Sequence, residues 1–270
     1  MSLRLLLLSL VTVSGVIASP RARAAGWEAT VAPFAPGNFP EPRPVRAQYV
    51  FGWSGLTAAK ADLHFYRADD RFVLDGSAET IGAGRGLWPF EVQHNSTTDA
   101  RTLRPIHVKE VETRRSKKFD SELNFTAERV TSHRIETRDA KTKASDRTFE
   151  FPNAMSLNSA LLYLRSKPLA DGSVERIVVY PGRTPYLCTV SILGREPFSG
   201  PTGTHDAIKL DVRLSKIENN HELKPHKKFK RATVWISNDQ DRLILRIEAQ
   251  IFLGTVFAEL QSVQFENAKQ

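Results

Sequence analysis

Residues Pro152–Asp171, PNAMSLNSALLYLRSKPLAD, form the one stretch with a clear helical signature, and the fold is read outward from it. Leu157, Ala160, Leu161 and Leu164 recur at i, i+3, i+4 and i+7, which places them on one side of a helix. Asn153 or Ser156 can cap its start, and Arg165 and Lys167 suit the negative end of its dipole. Pro168 biases Lys167 away from helical geometry, so the helix is expected over about 154–166. With that leucine stripe turned inward, Leu161→Asp is expected to bury an unpaired charge and destabilise the fold severely. Nearly everything on either side alternates with period two, so the helix is expected to plug or cover a large antiparallel sheet.

At 270 residues and 41% hydrophobic content, the chain has enough apolar material for one large β domain or two small ones. Its first residues read differently. Arg4 precedes the apolar run Leu5–Ile17, and Ala22-Arg23-Ala24 supplies small residues before a cut, so 1–24 is read as a secretory signal peptide. The run of 13 residues is shorter than the ~20 of a membrane-spanning helix, and no cysteine stands near the cut to take a lipid. The product is expected in a periplasm or outside the cell, and not as an integral membrane protein after cleavage. Of the net charge of +8, three positive charges (Arg4, Arg21, Arg23) fall in this leader. The remaining positive balance is spread along the chain, which suits anionic lipid or an acidic polymer as well as a merely basic surface. Cys188 is the single cysteine, so no intramolecular disulfide forms. It shares a strand face with Tyr186, Val190 and Ile192 and is expected to be a buried structural thiol.

Residues 25–44 carry Pro33, Pro36, Pro40, Pro42 and Pro44 and read as an extended arm, with a single β-rich domain at 45–267. Strands are expected at Ala47–Trp53, Ala58–Tyr66 and Arg71–Ile81, then Leu87–His94 after Gly82-Ala83-Gly84-Arg85-Gly86. That glycine run lacks the spacing and following helix of a dinucleotide loop and is read as a bend or bulge. Leu103–Phe151 mixes apolar beads with many charges, as half-exposed strands do, and Arg114-Arg115-Ser116-Lys117-Lys118 marks a hairpin tip. Beyond the helix, strands are expected at Glu175–Pro181, Tyr186–Arg195, Ala207–Leu214, Ala232–Ser237, Arg242–Ile251 and Thr255–Phe265. The expected fold class is all-β: one large, strongly curved antiparallel sheet or partly open barrel with one short embedded helix.

Trp53-Ser54-Gly55-Leu56 with Ala58-Ala59-Lys60-Ala61 is followed by Ser156–Leu169, then Gly194-Arg195-Glu196 and Gly203-Thr204. Val234-Trp235-Ile236-Ser237-Asn238-Asp239 comes next, leading to Arg246-Ile247 and Gly254-Thr255. In this order, across most of Val45–Phe265, these segments resemble the bacterial envelope family catalogued as domain of unknown function 3108. Ile244 stands where that family commonly has a proline. The resemblance implies an exported, mostly β protein with a strongly bent sheet, similar in outline to periplasmic lipoprotein carriers. It implies no reaction and carries over no catalytic residue.

The residues themselves name no reaction either. The seven histidines have no metal-ligand spacing, and no nucleophile, base and acid are recognisable, so catalytic, metal and cofactor residues are all read as none. His205-Asp206 is the most site-like pair, but neighbours on a strand point to opposite faces. Asn238-Asp239-Gln240-Asp241 offers oxygen ligands without the rest of a calcium loop, and turn chemistry explains it equally well. Nucleic acid is excluded by the secreted destination and by basic patches without interleaved aromatics. Two non-enzymatic readings remain, and a hydrolase with an unrecognised site stays as a third. A curved sheet with a helix over its mouth can hold a lipid or other apolar ligand, with Trp53, Leu63, Phe65, Tyr163, Tyr180, Tyr186 and Trp235 as candidate cavity residues. Alternatively the proline-rich arm, the basic hairpins, or Trp88 and Phe90 contact envelope proteins or a glycan.

Overall fold

The computed structural model describes residues 26–226, 229–251 and 254–266; the expected signal peptide lies outside the described residues. Residues 26–30 belong to a separate unit, in which Trp27–Thr30 makes one 3-10 turn.

From residue 31 onward the chain is dominated by one sheet. An antiparallel meander comes first: β1 (Val45–Trp53), β2 (Leu56–Ala68), β3 (Arg71–Thr80), β4 (Phe90–Asp99), β5 (Pro105–Arg114), β6 (Lys117–Phe125), β7 (Arg129–Arg138) and β8 (Lys141–Glu150). A short helix α1 (Gly82–Leu87) stands between β3 and β4, and α2 (Leu157–Ser166) follows β8. The second half holds β9 (Val174–Val179), β10 (Tyr186–Gly200), β11 (Gly203–Ile217), β12 (Leu223–Pro225), β13 (Phe229–Ser237), β14 (Ile244–Ile251) and β15 (Thr255–Phe265). The strand order is β8-β7-β6-β5-β4-β3-β2-β1-β15-β14-β13-β11-β10-β9, with β12 on β11. First and last strands are therefore central partners, and the sheet stays open with β8 and β9 as its edges. Tight turns fit this meander: at Ser54-Gly55 and at Asp139-Ala140 both residues take positive φ, which two-residue hairpins of matching twist require.

The curled sheet grips α2. Ala160 and Tyr163 join a cluster with Ile177, Cys188, Val190, Ile192, Ile208, Leu210 and Val234 from the second half of the sheet. Leu162 joins Phe65, Phe72 and Leu103 from the first half. Ser156 is the N-cap, its hydroxyl accepting from Ser159 N–H at 3.1 Å, and Lys167 leaves helical geometry before Pro168 as the sequence requires.

Three sequence expectations need correction. The helix begins at Leu157, and its inward face only half coincides with the expected stripe: Ala160 is buried and Leu164 packs against the core, but Leu157 is 55% and Leu161 45% exposed, while Ser159, Leu162, Tyr163 and Ser166 are buried instead. Polar residues can point inward here because backbone atoms satisfy them. Ser159 Oγ donates to Leu103 O at 2.5 Å, and Ser166 Oγ accepts from Gly37 N–H at 2.9 Å. Leu161→Asp is accordingly expected to cost about 1 kcal/mol or less, whereas Ala160→Asp should cost about 4 kcal/mol, a contrast checked by denaturant unfolding of the two variants. The glycine run is a helix and not a bulge, and its Gly84 lies so close to β2 that a Cβ there would come within 2.4 Å of Ala58 O. Finally, β10 and β11 run to Gly200 and back from Gly203, well past the expected ends. Pro197 is tolerated because β9 pairs β10 only as far as Ser191, so beyond it one side of β10 is a free edge.

Cys188 is buried, as its strand face predicted, and burial pushes its thiol up to about 12. In the unfolded chain the thiol ionises from its ordinary value upward, so this group's contribution to stability is complete below that value and is lost as pH rises through the folded one. Alkylation by iodoacetamide at pH 8 is expected to proceed only at the rate of unfolding. Labelling as fast as that of a free peptide thiol would contradict the burial.

Residues 31–44 lie along α2 without regular structure. Phe34 stacks on Tyr163 at 5.4 Å, Ala32 N–H donates to Arg176 O and Phe39 N–H to Ser166 O, both at 3.2 Å. The end of the helix is further closed by two arginines. Arg242 donates to the carbonyls of Arg165, Lys167 and Pro168, and its guanidinium lies 3.4 Å from the centre of the Phe39 ring. Arg165 in turn donates to the carbonyls of Pro40, Gln240 and Asp241.

A polar groove across six strands

An open groove of about 920 Å³ crosses β15, β1, β2, β3, β4 and β5. Its lining follows from strand register. Residues directly opposite one another in a ladder share a face, so two rows of side chains run perpendicular to the strands. One row reads Gln264, Arg46, His64, Asp75, Asn95, Lys109, and the next reads Ser262, Gln48, Asp62, Ser77, Gln93, Val111. Six strands spaced ~4.8 Å apart make the trough about 24 Å long, and the two rows lie about 7 Å apart along the strands.

Two hydrogen-bonded chains order the rows. Ser262 Oγ donates to Gln48 Oε1 at 2.9 Å, and Gln48 Nε2 donates to Asp62 Oδ1 at 2.9 Å. The Asp75 carboxylate accepts from Asn95 Nδ2 at 2.7 Å and from Tyr66 OH at 3.1 Å. At the β15 end Glu266 meets His64 Nε2 at 3.1 Å and Arg46 Nε at 2.6 Å. His64 and then Arg46 hold the Glu266 carboxyl below the usual range, while desolvation and the neighbouring Asp75 raise the Tyr66 phenol. Among the described residues, Ser77, Gln93 and Lys109 have no side-chain hydrogen-bond partner, so they are the groups turned to whatever enters the groove. Gly76 lies within β3 between the two rows, where a Cβ would approach Leu63 Cδ2 to 2.9 Å. That lone glycine inside an alternating strand was the available sequence signal for a special site.

The seven sequence-derived cavity residues are not gathered here. Leu63 lines the groove. Phe65 is packed at 5.4 Å on Phe72, Tyr163 is buried against Phe34, and Tyr180 is buried and stacked at 5.8 Å on Phe149. Tyr186 tilts over His226 at 5.4 Å. Trp235 donates its indole N–H to Glu196 at 2.7 Å, and Trp53 is exposed at the end of β1. The other candidates are engaged locally. His205 pairs with Thr202 at 3.0 Å while Asp206 accepts from Asn238 at 2.7 Å, so the two serve different partners. Asp239 spends one oxygen on Ser237 Oγ and the Asp241 and Arg242 N–H groups, which is turn chemistry. Among the described residues there is no cluster of three or more metal-ligating side chains, and no helix is long and apolar enough to cross a membrane.

The fold is similar to that of a solved β-barrel-like protein of the domain of unknown function DUF1849 from Brucella abortus, with a TM-score of 0.58 at 10% identity, covering 85% of this chain and 100% of that one. Weaker likenesses are a candidate exported protein with a YmcC-like fold from Bacteroides fragilis (TM-score 0.32, 8% identity, 85% and 100% coverage) and a candidate lipoprotein from Parabacteroides distasonis (0.34, 8%, 85% and 99%). No curated protein matches the chain. The family model for proteins of unknown function DUF3108 matches residues 48–261, from the first groove strand to the last, and the chain belongs to that family.

Proposed function

We propose that this protein is an exported, non-enzymatic binding protein of the bacterial cell envelope, and that the groove across β15 and β1–β5 holds an extended, polyhydroxylated envelope ligand of the glycan class. The observation that carries this reading is the pair of cross-strand rows, in which amides, hydroxyls and carboxylates follow one another over six strands. Such a surface hydrogen-bonds a ligand at many points along its length. It offers little apolar area for an acyl chain. The interior supports the same choice: Tyr163, Ser159 and Ile208 at the heart of the molecule have no exposed surface, so the space beneath the helix is occupied by the protein's own side chains. The leader-like start of the sequence supports export.

Titration with soluble glycan strands released from peptidoglycan, followed by isothermal calorimetry, tests the proposal. Binding should weaken about tenfold in Gln93→Ala and in Asp62→Ala, with the melting temperature unchanged. Glycan strands that bind neither the wild type nor the variants, together with a lipid retained through native mass spectrometry, would transfer the assignment to an apolar ligand.

A further inference from the structure

A second surface lies beyond one end of the groove. The β1–β2 hairpin turns at Ser54-Gly55 with Trp53 and Leu56 directly opposed, and Phe51 lies on the same side two residues earlier. Beside it α1 is held to β2 by Ile81 N–H donating to Ala58 O at 2.8 Å. The next hairpin, β5–β6, closes the row: Arg115 N–H donates to Pro89 O at 3.0 Å, and its guanidinium lies 4.6 Å from the Trp88 ring centre. Three neighbouring turns thus form one continuous rim.

The rim projects the side chains that a folded protein normally covers. Leu56 is 70% and Leu87 79% exposed, and Trp53 and Trp88 are close to half exposed. Cations surround them. Arg85 and Lys60 are neutralised by Glu79 and Glu91, and Lys117 by Glu136, but among the described residues Arg115 and Lys118 meet no carboxylate. Strongly exposed leucines, half-exposed indoles and uncompensated cations side by side on one rim match what the acyl boundary, the interfacial belt and the phosphates of an anionic bilayer each take up. A protein partner would satisfy the leucines but has no need of indoles and uncompensated cations beside them.

We infer that this rim docks the protein on the surface of an anionic membrane, inserting Leu56 and Leu87 with Trp53 and Trp88 at headgroup depth. Gln48 in the groove is five residues from Trp53, about 17 Å along β1. Docking therefore sets the groove close to the bilayer surface.

The test uses the full chain and 100 nm vesicles of phosphatidylcholine with one quarter phosphatidylglycerol, against phosphatidylcholine alone. Because the apolar N-terminal segment is common to every variant, the readout is a local one: quenching of tryptophan fluorescence by brominated phosphatidylglycerol, with Trp88→Phe identifying the Trp88 share. Trp88 is expected to be quenched in anionic vesicles. Leu56→Ser/Leu87→Ser should lower vesicle affinity about tenfold, and Arg115→Ser and Lys118→Ser about fivefold each, with the salt dependence reduced. Melting temperatures close to that of the wild type, checked alongside, show that the rim variants fold. Absent Trp88 quenching, affinity indifferent to the leucine pair, or an effect of that pair confined to self-association in sedimentation velocity would overturn the inference.

Discussion

Arg242→Met should lower the stability of the domain by about 3 kcal/mol, visible as a melting temperature roughly 6–12 °C below the wild type. The last carbonyls of any helix lack partners within the helix, and in α2 they are enclosed by the sheet and the proline-rich segment. Arg242 supplies what is missing: its guanidinium donates to the carbonyls of Arg165, Lys167 and Pro168. The arrangement is costly in itself. Desolvation first, then the like charges of Arg165 and Arg195, lowers the guanidinium to about 10. Removing the charge also relieves that cost, so the loss expected for methionine is that of the three hydrogen bonds less the desolvation relieved, while its side chain still covers Phe39. Arg242→Lys reaches fewer of the carbonyls with a point charge and should fall between. If calorimetry shows Arg242→Met melting with the wild type, the carbonyls are satisfied without it and the account is wrong.

Tyr163→Ala carries the second large effect, about 4 kcal/mol. The side chain has no exposed surface and stands in the largest cluster between α2 and the second half of the sheet, with Phe34 stacked on its outer side. Its hydroxyl contributes little, since the bond to Pro33 O is long at 3.4 Å, and Tyr163→Phe should cost under about 1 kcal/mol. The two variants separate ring from hydroxyl. Loss of the ring also unseats Phe34, so limited proteolysis within residues 31–44 should accelerate in Tyr163→Ala and not in Tyr163→Phe. Equal cleavage in both would mean that the segment is held elsewhere.

The sheet was legible because strand alternation is written locally: Tyr186, Cys188, Val190 and Ile192 alternate in sequence and line one cluster. The helix was legible in place but not in orientation. A stripe of leucines outweighs Ser159 and Ser166 on any hydrophobicity pattern, and only the Leu103 carbonyl and the Gly37 amide, far away in sequence, make the inward serines favourable. Bulges defeat alternation in the same way. A register shift in the β13–β14 ladder brings Ile236 opposite Ile244, so Ile244 and Ile247 share a cluster despite their odd spacing. The groove was invisible for a deeper reason. Its rows cross the strands, joining Ser262 to Gln48 and Gln48 to Asp62, and no periodicity along the chain encodes a row that runs perpendicular to it.

The pairing of β1 with β15 also has a temporal side. Eight strands of the meander find their neighbours within a few residues, and each hairpin can zip as soon as it is made. The seam at Val45–Phe265 joins segments about 200 positions apart, so a chain produced from its N-terminus must wait for its last strand before the two halves of the sheet unite. Until Thr255–Phe265 arrives, β1 is a long unsatisfied border inviting foreign strands. A nascent molecule of this kind stays vulnerable until β15 has been made, and a chain truncated before Thr255 would keep that vulnerability permanently.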